Sequence, residues 1–137
     1  MSEWGTFISS LETIARAQFP RLRTGVAGFE RDIRPIDLLT AAELPHVFAH
    51  NPQERVTPLA HGQEAISFSI VLTYAPEPST TQEAIAVLLD NFRAALQADS
   101  TLGGAVERAW IRERLVQEAA DSALKAGVLE VVAERVQ

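Results

Sequence analysis

His46, His50 and His61 are the first residues to weigh for chemistry, because they are the only imidazoles in a chain without cysteine. On an extended segment His46 and His50 point to the same side. No third histidine and no carboxylate stands at a spacing that converges on them, so plain surface histidines are expected rather than a metal centre or a general base. The lack of cysteine removes thiolate zinc sites, cysteine nucleophiles and disulfide scaffolds together. The serines have no nucleophile-elbow context, and Gly103-Gly104 lacks the phosphate-loop pattern. The acidic side chains are spread along solvent faces instead of being paired in an apolar surround. These spacings yield no catalytic residue, no metal ligand and no cofactor site. Trp4 and Trp110 are expected in the core, where aromatics on patterned elements are found more often than at interfaces.

The composition narrows the partners. The chain has 137 residues, 47% of them hydrophobic and 22% charged, which fits a single folded domain over residues 1–137. Its net charge is −6 and its sequence pI about 5.0, with no cluster of Lys and Arg, so a protein that grips DNA phosphates is disfavoured. No stretch reads as a signal peptide or membrane span, so synthesis in the cytosol is expected. An N-terminal amphipathic helix with a basic polar face would suit a membrane surface, but this one is not basic and is expected to pack on the domain.

The elements that must carry any function are clearest from Ala65 to Gly104. Ile66, Phe68, Ile70, Leu72 and Tyr74 alternate with Ser67, Ser69 and Thr73, the period of a half-buried strand, with Val71 as the one misfit. Pro76 and Pro78 stop that ladder. Ser79, Thr80 and Thr81 then offer helix N-caps, with Glu83 three places after Thr80. Ile85, Leu88, Leu89, Phe92, Ala95 and Leu96 recur at helical steps, and Asp99, Gly103 and Gly104 close the helix. Phe68, Ile70, Leu72, Ile85, Leu88, Leu89, Phe92 and Leu96 are therefore expected to form one core.

On the N-terminal side, Trp4, Phe7, Ile8, Leu11, Ile14 and Ala15 predict an amphipathic helix ended by Pro20. Arg21 to Gly28 reads as a turn into an extended piece. Arg31 to Arg34 extends ahead of Pro35, and Asp37 or Thr40 caps a brief helical turn in a connector. His46 to His50 predicts a short strand, followed by a polar loop from Asn51 to Gly62. A partial strand around Val56 is compatible with Pro52 and Pro58 only at a sheet edge or an excursion. From Val106 onward two readings compete. Helical spacing runs through Leu115, Ala119, Leu124 and Val131, but the Val, Ile and Trp content and a turn at Asp121-Ser122 favour two strands, Val106 to Gln117 and Lys125 to Val136. The expected fold is α+β: an antiparallel sheet of about four strands packed by an N-terminal and a central helix.

This order of elements, with Leu44-Pro45-His46-Val47-Phe48 opening a strand and Leu96-Gln97-Ala98-Asp99-Ser100-Thr101-Leu102-Gly103-Gly104 closing the helix, resembles the tail terminator and minor tail protein family of tailed bacteriophages. The likeness covers nearly the whole chain. It implies a virion protein rather than an enzyme, assembled as a ring, commonly a hexamer. Such a ring caps the tail tube, ends its polymerisation and presents a surface to the head-tail connector protein. The implied partners are further copies of the chain, the tail tube protein and the connector, with DNA passing through unbound and no membrane involved. In that setting Asn51, Gln53, Glu54, Arg55 and His61 of the polar loop are the candidate contacts with a neighbouring subunit or the tube. A small ligand-binding or regulatory α+β domain is the other reading, with its pocket between the Ile85 to Leu96 helix and the sheet.

Overall fold

The computed structural model describes residues 3–20, 22, 28–31, 44–77, 79–118 and 125–136. Helix α1 is Glu3–Gln18, and strand β1 is Phe29–Glu30. Strands β2 and β3 are His46–Pro58 and Glu64–Ala75, helix α2 is Gln82–Ala98, and strands β4 and β5 are Arg108–Glu118 and Lys125–Val136. The fold is α+β, with a sheet of five strands in the order β1-β2-β3-β5-β4, one more than the sequence suggested. The extra member is β1, a two-residue strand parallel to β2; every other pairing is antiparallel. It is too short to show a period of two, so patterning gave no sign of it.

Both helices pack on one face of the sheet. Along β3 that face is built by Ile66, Phe68, Ile70, Leu72 and Tyr74, all buried, as the alternation required. The Phe7 ring of α1 stacks on Phe68, and Phe19 stacks on both Tyr74 at 4.4 Å and Phe92 of α2 at 5.7 Å. Phe19 thus ties the end of α1 to the sheet and to the second helix. Ile85, Leu89, Phe92 and Leu96 form the buried stripe of α2. Leu88 departs from the expected core: it is only half-buried, packed at the rim, because it lies one position outside that stripe.

The ends of α2 are set by local chemistry. Thr81, not Thr80, is the N-cap; its hydroxyl accepts from the Ala84 amide at 3.1 Å, and Glu83 therefore falls one position short of a capping box. At the other end an Asp99 carboxylate oxygen accepts from the Gly103 amide at 3.0 Å, while Leu102, Gly103 and Gly104 take φ of 51°, 69° and 91°. Three successive left-handed residues turn the chain sharply into β4, and two of them are glycine, which adopts that conformation without steric cost.

The C-terminal segments are strands, paired antiparallel from Arg108 with Glu134 to Glu118 with Lys125, with one shift of register between Ile111 and Glu113. The helical spacing is coincidental there: Leu129, Val131 and Ala133 alternate toward the helices, while α2 covers Gly127 so closely that a Cβ would lie 2.8 Å from Ile85 Cγ2. The connector turn at Asp37 or Thr40, the Arg31 to Arg34 extension beyond Arg31, the turn at Asp121-Ser122 and the Trp4 side chain lie outside the described residues.

Candidate assembly surface

The segment expected as a polar loop, Asn51 to Gly62, is mostly strand. β2 runs on through Pro58 and pairs with β3 as far as Pro58 opposite Glu64, with a short 3-10 turn, Ala60–Gly62, at the hairpin end. Two features hid it. Register slips between His50 and Gln53, where Asn51 takes a φ of 54°, so the alternation is broken by a bulge. The prolines sit where a strand tolerates them, Pro52 at the bulge and Pro58 at the last position. The partial strand around Val56 was the correct half of the expectation.

This distal half of β2 has little packing. Every residue from Asn51 to Glu64 is exposed, including Val56 at 49% and Leu59 at 42%. β1 covers only Val47 and Phe48, so among the described residues the outer edge of β2 from Ala49 to Pro58 pairs with nothing. Gln53, Glu54 and Arg55 lie together on that edge strand, Asn51 is at the bulge, and His61 is at the hairpin tip with a φ of 62°. On the opposite side of the sheet, β4 pairs with β5 alone among the described residues, so its outer edge is open as well.

The face of the sheet turned away from the helices is polar over much of its area. Register places Arg55, Ser67, Glu134 and Arg108 in one row across four strands, and Gln53, Ser69, Val132 and Trp110 in the next. Arg108 reaches Glu134 at 3.4 Å and lies 4.4 Å over the Trp110 ring. Trp110 is thus a half-exposed residue of this face and not core, because its position in the register turns it away from the helices. Arg112, the extra residue of a bulge between Ile111 and Glu113, forms an ion pair with Glu130. That hydrogen bond from the guanidinium, more than simple charge proximity, holds the Glu130 carboxyl below its ordinary range. Arg114 turns the other way and pairs with Asp90 of α2.

The histidines divide. His46 and His50 do share this face, but His46 is fully buried, with Nε2 3.1 Å from Glu30 Oε1 and its ring against Phe48, and His50 is half-buried with Nε2 2.8 Å from Thr73 Oγ1. Only His61 is the exposed histidine expected of all three. Burial of His46 follows from its place at the start of β2 beside β1, a pairing that patterning did not show. Among the described residues no group of three His, Asp or Glu side chains is placed to hold a metal ion, and no helix is long and apolar enough to cross a membrane. No protein-family model and no characterised protein matches this sequence.

Proposed function

We propose that the protein is a structural virion component that closes into a ring on a phage-type tail tube, ends the tube's polymerisation and offers the surface to which the head connector joins. The observation that carries this reading is the pair of strand edges, β2 beyond Phe48 and β4, that pair with nothing further among the described residues and lie at opposite sides of one sheet. A closed ring needs a head-to-tail contact between two unlike patches, and an unpaired strand edge is a template for another chain. Edges this exposed are either blunted or used. Both carry bulges and charged side chains, which oppose indiscriminate pairing and leave a specific neighbour as the partner that fits. The exposed stretch Asn51 to Glu64, with Val56 and Leu59 at its surface, supplies side chains for contact with the neighbour or the tube. An acidic chain suits a ring through which DNA passes without being held.

A second reading, a small ligand-binding domain, has one observation in its favour. The seam between α2 and the sheet is filled by Ile85 and Leu89 at Gly127, but a partly apolar groove of about 600 Å³ opens at the start of α2, between Pro20, Pro45, Tyr74, Thr80, Val87 and Leu88.

The mass of the particle in solution separates the two readings. The ring reading expects a closed multimer, six copies in the commonest case, and a strict monomer across micromolar concentrations speaks against it. Particles assembled without the protein should carry tails of uncontrolled length, or tails that never join heads; normal, joined tails would refute the terminator role.

A further inference from the structure

We propose that the open face of the sheet carries an oxyanion-binding site formed by Arg55, Ser67, Ser69 and Arg112. These residues, with Gln53 and Glu54, line one polar depression of about 340 Å³. Its floor is hydroxyl-bearing: Ser67 and Ser69 project from β3 on the face away from the helices, opposite Arg55 and Gln53 of β2 in the register. Its walls are cationic. Arg55 comes from the edge strand and Arg112 from the bulge of β4, so the two guanidinium groups approach from strands on either side of the β3-β5 pair.

Arg55 is the charged group on this face that favours an anion. Glu134 is engaged by Arg108 and Glu130 by the Nε of Arg112. Among the described residues Arg55 has no carboxylate partner. Glu54 pairs with Phe68, so strand alternation turns its side chain to the opposite face, and it lends the depression mainly backbone. A guanidinium fork beside neutral hydroxyl donors is the donor set that carboxylate and phosphate groups take. The bulge at Arg112 is what re-aims that side chain out of the ladder, a common use of a bulge next to a binding site. Such a site does not depend on the ring reading.

The site is tested by following backbone amide and arginine Nε resonances of the full chain during titration with sodium phosphate and, separately, with sodium acetate. Sodium chloride of matched ionic strength is the control. Saturable shifts centred on Ser67, Ser69, Arg55 and Arg112 are expected with at least one of the two oxyanions and not with chloride; which oxyanion produces them distinguishes a phosphate from a carboxylate ligand. Arg55→Gln, an exposed substitution, should weaken the midpoint about fivefold, the effect of losing one solvent-exposed charge-assisted contact. Arg93→Gln, on the solvent side of α2, should leave it unchanged. Shifts that match chloride for both anions, or that persist unaltered in Arg55→Gln, would overturn the proposal.

Discussion

Leu89 is in contact with the sheet where α2 approaches it most closely, and its side chain is fully buried. Leu89→Ala is expected to cost about 2–5 kcal/mol in denaturant unfolding, the spread reflecting how far the cavity collapses. Val87, two residues earlier and 51% exposed, should tolerate Ala within about 0.5 kcal/mol. Gly127 tests the same seam from the other side. An alanine Cβ there would stand 2.8 Å from Ile85 Cγ2 and 3.0 Å from Leu89 Cδ2, and the branched Ile85 cannot swing that methyl away without changing rotamer. Gly127→Ala should therefore destabilise by about 1–3 kcal/mol. Combined with Ile85→Ala, which removes the obstructing methyl, it should cost clearly less than the two losses added together. Strict additivity would mean that the close approach is not the cause.

At the scale of elements, the N-terminus of α2 is held by the Thr81 cap. Thr81→Ala removes the acceptor for the Ala84 amide and is expected to cost about 1 kcal/mol, whereas Thr80→Ala should cost less, since the Thr80 side chain is not the cap. The β4-β5 pair carries a pH dependence of known sign. Arg112 holds the Glu130 carboxyl below its ordinary value, so the pair stabilises the fold above the unfolded-state pKa of about 4.3 and loses that contribution as pH falls through the lower folded-state value. The Arg112 side chain is 55% exposed, which limits the effect to about 1 kcal/mol or less. Glu130→Gln should lower stability slightly at pH 7 and flatten its decline on acidification. An acid limb as steep as that of the parent protein would assign the decline to other carboxylates.

For the whole molecule, the test of assembly must respect that Asn51 to Pro58 is paired with β3. Excising the segment would remove ladder hydrogen bonds as well as surface, so a loss of assembly in such a deletion would not separate the two. Val56→Lys and Leu59→Ser avoid this, because both side chains are exposed and neither belongs to the core. In the ring reading these substitutions weaken multimer formation or docking while the unfolding midpoint stays within about 0.5 kcal/mol of the parent. An intact multimer that still docks would reduce this stretch to plain surface.

The sequence by itself determined the elements whose periodicity is long and uninterrupted. β3 could be read from Ile66 to Tyr74 and α2 from Ile85 to Leu96, because one face of each must leave water and the repeat of apolar residues records which. The C-terminal hairpin was legible more narrowly, through β-branched content against a competing helical period. Tertiary structure alone decided three things. It made Asn51 to Pro58 an edge strand, since a bulge and two prolines erase the alternation while the ladder to β3 supplies the hydrogen bonds that hold it extended. It buried His46 and turned Trp110 outward, because residue type does not say which face of a sheet a position occupies until register is known. It also brought Arg55, Ser67, Ser69 and Arg112 to one depression, although up to 57 positions separate Arg55 from Arg112 in the chain. Local spacing cannot record such a grouping: it arises only when the order β2-β3-β5-β4 carries distant strands side by side.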